Sequence, residues 1–349
     1  MSVESFIQAM PKVELGVHLE GTMLRGTLEV IAEQNDIPEN DRRYAQWLAL
    51  LDKPDYQRLD DILRELSRWL LHPDDLARIV YEYGVGMAKQ NIRYAEVYVN
   101  PLLYLENGFT FEQLLAALND GRDRAERGWK VRLVWVLALP RDQIRKADDY
   151  LRWTTSVAAR KGRVVGLALV GSSSGSQSVP LSQYERVFRS AEKKQVARAV
   201  YIYPGDDLAE AISSLAPDRI HISRSIDANF LRAWQHAAEQ QVYCDVSVVQ
   251  AVRHNLVAAY SAYPLRQLLD DGVRLTLSSR LPALYKCSLT EEYLAAVQEC
   301  GIGVDELERL GLNAALASWL PNDEKETLLE EMRTQYSALR AQHLEARSA

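Results

Sequence analysis

Three histidines stand where a reaction centre could be assembled. His18 lies in the apolar, β-rich run Val13–Leu19, His221 in the run Arg219–Ser223, and His254 just beyond the run Val242–Ser247. Histidine with a carboxylate is the donor set of a catalytic zinc, which takes three protein ligands and leaves one position for water. Glu20 directly follows the first of these runs and Asp245 lies within the last. The other histidines, His72, His236 and His343, fall in helical stretches or their approaches, so ligands are scarce. The remaining chemistry at the run ends is metal-free. Tyr203, Ser278 and Ser279 can hydrogen-bond a substrate, and Arg224 and Arg280 can grip a carboxylate or phosphate through paired N–H groups. Each residue also has a structural role open to it. His18 can serve as a buried polar core group, Glu20 can belong to the turn after the first run, and Arg280 can pair with Asp245, Asp206 or Glu20. Tyr203 and Ile222 can fill space, because an empty polar cavity is unfavourable. Cys244, Cys287 and Cys300 show no C-x-x-C spacing, which argues against a disulfide framework or a cysteine zinc site.

The elements that must carry these groups are eight short apolar runs, each followed by a longer helical pattern. They are Val13–Leu19, Arg93–Val99, Val131–Ala138, Val164–Val170, Arg198–Tyr203, Arg219–Ser223, Val242–Ser247 and Val273–Ser278. Nearly continuous apolar strands joined by crossover helices are the mark of a parallel sheet covered on both faces, and eight such units predict an α/β TIM (β/α)8 barrel. Its reactive groups belong at the carboxyl ends of the strands. A helical insertion spanning about 24–90, with helices over Gly26–Asn35, Gln57–Leu71 and Asp74–Gln90, separates the first two strands and caps the barrel mouth. The Gly- and Ser-rich stretch Gly171–Ser178 follows the fourth strand as a loop, and Asp323–Arg347 reads as a packed C-terminal helix. No linker divides the chain, so 1–349 is read as one domain.

With 349 residues and 47% hydrophobic content, the chain can bury a large core. Its net charge of −7 excludes an extended phosphate-binding face, and no nucleic-acid partner is expected. Arg122–Arg127 mixes signs at helical spacing, as a solvated helix face does. Met1–Met10 lacks the basic and apolar segments of a leader, and no run reaches the roughly 20 apolar residues of a membrane span, so a cytoplasmic location is expected.

Several segments together resemble the adenosine deaminase family. They are Pro11–Thr22, Tyr94-Ala95-Glu96-Val97 before Pro101, Val164-Val165-Gly166, Pro217-Asp218-Arg219-Ile220, and Pro264–Val273 leading into Thr276-Leu277. The resemblance implies zinc-dependent purine deamination, yet this chain departs from the pattern wherever it carries chemistry. The family's first strand supplies an H-x-H zinc pair, where Gly16 replaces one histidine and His18 matches the other. Its H-A-G-E after the fifth strand aligns with Val200 to Tyr203. Its R-I-G-H-G reads Arg219-Ile220-His221-Ile222-Ser223, which puts Ile222 at the catalytic place and turns His221 to the opposite face. Its T-L-N-T-D-D-P reads Thr276–Pro282, with Arg280 and Leu281 in place of both aspartates. Of its G-D-E, Gly171 alone persists, as the small residue whose backbone lies against the base.

The metal positions are therefore held by Gly16, His18, Val200 and Arg280, and no zinc or other cofactor is expected. The leading reading is a catalytically degenerate deaminase homologue. It would bind a purine-like or anionic small molecule, or a protein partner such as an active paralogue, through His18, Glu20, Gly171, Tyr203, His221, Ser278, Ser279 and Arg280; a homo-oligomer is a further expectation. The runner-up is an enzyme with metal-independent chemistry at the barrel mouth, and zinc-dependent deamination comes third. An open polar cavity beside His18 and Arg280 would favour binding or new chemistry, whereas a mouth plugged by Tyr203, Ile222 and Leu281 would favour a scaffold.

Overall fold

The computed structural model describes residues 2–37, 42–171, 179–203, 205–223, 234 and 237–345. Eight parallel strands run in chain order around a barrel: β1 Lys12–His18, β2 Ile92–Val99, β3 Arg132–Pro140, β4 Val164–Val170, β5 Ala197–Ile202, β6 Arg219–Ile222, β7 Tyr243–Val246 and β8 Arg274–Leu277. These are the eight apolar runs, with ends displaced by at most two residues. The ring closes where the His18 amide donates to the carbonyl of Arg280, just past β8, at 2.9 Å.

The strands alternate between two apolar environments. Residues such as Val13, Val17, Val200, Ile222, Cys244 and Leu277 belong to the large core shared with the surrounding helices. Tyr98, Val136, Ala138, Ala168, Ala199 and Tyr201 form a second, smaller cluster inside the barrel.

Between β1 and β2 lies the helical insertion, observed as α2 Arg25–Gln34, α3 Arg42–Asp52, α4 Leu59–Ser67 and α5 Pro73–Lys89, after a short α1 Val3–Ala9. α3 has no counterpart in the sequence reading. The start of α5 is set by Pro73 at its first position and by Asp75, whose Oδ2 accepts from the amides of Leu71 at 3.0 Å and His72 at 2.9 Å. α6 Pro101–Leu105 and α7 Phe111–Gly128 follow β2. A side chain on Gly84 of α5 or Gly121 of α7 would overlap the other helix, so these two small residues permit a close crossing. The C-terminal helix Asn322–Arg340 is packed as expected. It buries Leu328, Leu329, Met332 and Tyr336, and the Tyr336 hydroxyl donates to the Pro11 carbonyl at 2.9 Å. Among the described residues no helix is long and apolar enough to cross a membrane.

The amino-terminal end of the barrel is sealed by a fully buried ion pair. The Arg219 guanidinium lies 2.5 Å from Glu96, donates to the Ala317 carbonyl at 3.1 Å and covers the Trp319 ring at 4.2 Å. Glu96 is saturated by two further donors, the Tyr94 hydroxyl at 3.0 Å and the Trp319 amide at 2.6 Å. Removing one member of such a pair strands a charge in the core, whereas removing both does not. Urea unfolding should therefore find Glu96→Ala destabilised by roughly 3–5 kcal/mol, and Glu96→Leu/Arg219→Met clearly less so. Additive losses in the double variant would contradict this account.

Candidate functional site

At mid-barrel, one aspartate organises a buried polar cluster. Asp245 on β7 lies with Oδ2 2.8 Å from His221 Nδ1 and 3.1 Å from the Arg280 guanidinium, while Oδ1 accepts from the Thr276 hydroxyl at 2.6 Å. Arg280 also donates to the Asp245 carbonyl at 2.8 Å, touches His221 Nδ1, and stands 5.0 Å over the Tyr201 ring. The His221 ring stacks on Tyr201 with centroids 4.5 Å apart, and its Nε2 lies 2.7 Å from the Tyr98 hydroxyl. His18 Nε2 is 2.8 Å from the Tyr201 hydroxyl.

Charge in this cluster follows from burial and one guanidinium. Burial, reinforced by Arg280, lowers His18 to about 3 and holds His221 well below the ordinary imidazole range, so both rings are neutral near pH 7. Burial lifts Asp245 to about 6, with Arg280 opposing the rise. Burial likewise pushes the Tyr201 hydroxyl up to about 12.

Above the cluster a cavity of about 620 Å³ opens at the carboxyl ends of the strands, with His18, Tyr201, Arg280 and Leu281 among its lining. Glu20, in the 3-10 turn Leu19–Thr22, enters its wall. One oxygen of Glu20 accepts from the Asn100 amide and the Tyr104 hydroxyl, both at 3.2 Å, yet burial still raises its carboxyl to about 7. Tyr56, His254 and Tyr285 make an aromatic rim, with His254 Nε2 2.9 Å from the Tyr285 hydroxyl. On another wall Tyr203 is anchored by the Gly171 amide, which donates to its hydroxyl at 3.0 Å, and by Asp206, which accepts from its amide at 2.9 Å and pairs with Arg141 at 2.6 Å. Among the described residues, the mouth is therefore not plugged.

Several expectations need correction. His221 does not face away from the site: its ring fills the barrel centre, and it is Ile222 that points into the outer core. Val200 also faces the outer core, so the inward place beside His18 belongs to Tyr201. Ser278 and Ser279 do not reach the cavity. Ser278 is fully buried under the Arg280 amide, and Ser279 donates to Glu14 on the outside of the barrel. The face of Gly171 is covered by the Tyr203 ring, leaving no room there for a ligand base. Arg224, Ser172–Ser178 and His236 lie outside the described residues. Sequence reasoning missed Tyr56, Tyr98, Asn100, Tyr201, Gln250 and Tyr285; the alternation along β2 and β5 carried a signal only for Tyr98 and Tyr201.

Gly16 and His221 depend on one another. Gly16 is the extra residue where the β1–β2 register shifts, with φ +90°, and a methyl group there would overlap Cε1 of the His221 imidazole. The bulge also explains how Glu14 meets Tyr83 of α5 outside the barrel while His18 points inside. Gly16→Ala should cost roughly 2–4 kcal/mol from overlap and a left-handed φ, and in a His221→Ala background the overlap part should vanish, leaving about 1 kcal/mol. A double-mutant cycle on unfolding free energies measures this; zero coupling would mean that the two positions are independent.

Among the described residues no three His, Cys, Asp or Glu side chains converge in a group able to hold a metal ion. His18, His221 and Asp245 are the nearest approach, and the guanidinium of Arg280 stands against Asp245 and His221. His254 packs instead on Tyr56 and Tyr285.

The chain resembles known proteins over nearly its whole length. An adenosine deaminase of Clostridium botulinum (strain Kyoto / Type A2) is 24% identical over 331 residues, covering 91% of this chain and 96% of that protein. The structure superposes on an amidohydrolase from Burkholderia ambifaria with bound zinc at a TM-score of 0.86, with 22% identity and coverage of 97% and 94% of the two chains. An adenine deaminase from Arthrobacter aurescens gives a TM-score of 0.81, with 22% identity and coverage of 93% and 99%. The adenosine deaminase family profile matches residues 11–335, from the start of β1 into the C-terminal helix, and with this barrel beneath it the chain belongs to the adenosine deaminase family.

Proposed function

We propose that this protein is a metal-free member of its family that binds an uncharged, planar, purine-like molecule in the mouth cavity and does not perform zinc-dependent deamination. One observation carries the reading: the Arg280 guanidinium is bonded to Asp245 and touches His221, which with His18 are the remaining donors of the barrel centre. A divalent cation among them would sit within a few ångströms of a fixed positive charge in a low-dielectric interior and would have to displace both contacts. The residues present therefore do not fit zinc. The cavity itself is of ordinary ligand size and offers tyrosine faces with amide and carboxyl groups at their edges.

The charge balance supports an uncharged ligand over an anionic one. Among the described residues, Glu20, Asp60, Asp61, Glu106 and Asp142 line the cavity against Arg64, Arg141 and Arg280. Each of these guanidiniums already lies near a carboxylate: Arg280 near Asp245, Arg141 near Asp206, and Arg64 3.9 Å from Glu106. Arg280, the motive for expecting an anion, is thus already neutralised.

A second reading, metal-independent catalysis, has one observation in its favour. Glu20 titrates near 7 in the cavity wall and can therefore both hold and release a proton under ordinary conditions. Such an activity would survive chelators and disappear in Glu20→Gln.

Three measurements follow. After incubation with excess zinc and desalting, elemental mass spectrometry should find no retained metal, and adenosine and adenine should not be deaminated; about one zinc per chain would overturn the proposal. Calorimetric titration should find adenine bound at least tenfold more tightly than adenosine monophosphate, the reverse order refuting the charge argument. Folded Glu20 keeps its proton where the unfolded side chain, near 4.5, has lost it, so unfolding releases a proton and stability falls as pH rises from about 4.5 to about 7. Glu20→Gln should remove that decline from melting temperatures across the same window, and an unchanged slope would mean that Glu20 titrates normally.

A further inference from the structure

A second cavity, of about 270 Å³, lies outside the barrel between α2, α5 and the segment after β8, and it shares no lining residue with the mouth. Met23, Leu24, Ile79 and Ala283 form an apolar part of its wall, the buried Glu14 lines it from β1, and Thr27, Glu82, Gln90, Glu291 and Lys286 supply polar and charged groups around them. That group accepts from the Ser279 amide at 3.0 Å, from the Ser279 hydroxyl, and from the Tyr83 hydroxyl at 2.9 Å. Burial raises the Glu14 carboxyl above its ordinary range, and the Ser279 and Tyr83 donors together with Arg280 oppose that rise.

The partition between the two cavities is one short stretch of chain. Ser279 and Pro282 face the outer crevice, while Arg280 and Leu281 face the mouth. Arg280 has φ +59°, a conformation unfavourable for a residue with a side chain, and its neighbour Ser279 is fastened to Glu14. A ligand that takes over the Glu14 carboxylate frees Ser279 and lets the strained peptide relax, and that displaces the guanidinium at the floor of the mouth.

We infer that the outer crevice is a regulatory site for a small organic cation, an ammonium or amidinium carried on an apolar body, whose occupancy repositions Arg280. The apolar part of the wall takes the body and the buried carboxylate takes the head through paired, charge-assisted hydrogen bonds. The inference uses only the position of Arg280 and does not depend on what the mouth binds.

The test uses the full-length protein with benzamidinium as probe and benzoate as control. Titration calorimetry should give saturable binding of benzamidinium and none of benzoate, and the Arg280 Nε–H resonance of 15N-labelled protein should shift at saturation. Ala283→Phe, which fills the crevice, should weaken binding at least tenfold; because Ala283 is half-buried, Leu24→Trp at the exposed rim provides a second blocking variant. Binding of benzamidinium that both variants leave unchanged would place the probe elsewhere and overturn the site. Equal binding of benzoate would overturn the ligand class, and saturation without movement of the Arg280 resonance would overturn the coupling.

Discussion

The positive charge of Arg280 inside the barrel is the constraint to which the rest of the centre conforms. A guanidinium out of water requires a counter-charge and acceptors, and Asp245 supplies both through its side chain and its carbonyl, while Nε is left without a partner among the described residues. Asp245 is in turn oriented by Thr276 and His221. Burial, reinforced by that charge, keeps both neighbouring imidazoles neutral, and the aromatic faces of Tyr201 and Tyr98 become suitable walls. The same interior uses a second arginine, Arg219, with Glu96 to close the opposite end. Two buried ion pairs thus stand at different depths of one barrel, the lower sealed by Trp319 and the upper opening to a cavity.

This division of labour separates folding from recognition. The lower half is tied to the C-terminal helix region through Ala317 and Trp319. The upper half is built from strand ends and from the turn carrying Glu20, whose partners Asn100 and Tyr104 come from the start of α6. Mouth residues are therefore held by short connections on a rigid frame, an arrangement that allows their chemistry to change while the frame persists.

Much of the frame was legible in the sequence. Eight apolar runs of β-branched and aromatic residues gave the barrel, and the long helical interval before Arg93 gave the insertion, because both patterns report burial directly. The facing of individual side chains was less legible. β6 and β8 have four residues each, too few for alternation to fix which are turned inward, and an aligned motif fixes position along the chain without fixing face. His221 and Ile222 were exchanged for that reason. Ser278 and Ser279 were misplaced for another: the left-handed turn at Arg280 redirects the chain just past β8 and sends Ser279 outward to Glu14. Arg280 was the most informative residue in both readings, since a fixed charge at a barrel centre leaves few arrangements open to its neighbours.

The interlock of Gly16 with His221 makes sequence change around this barrel order-dependent. A side chain at 16 and a ring at 221 compete for the same volume on this backbone, so whichever position enlarges first makes enlargement of the other unfavourable. The easiest route between the two arrangements runs through small residues at both positions, which leaves a void at the centre of the protein.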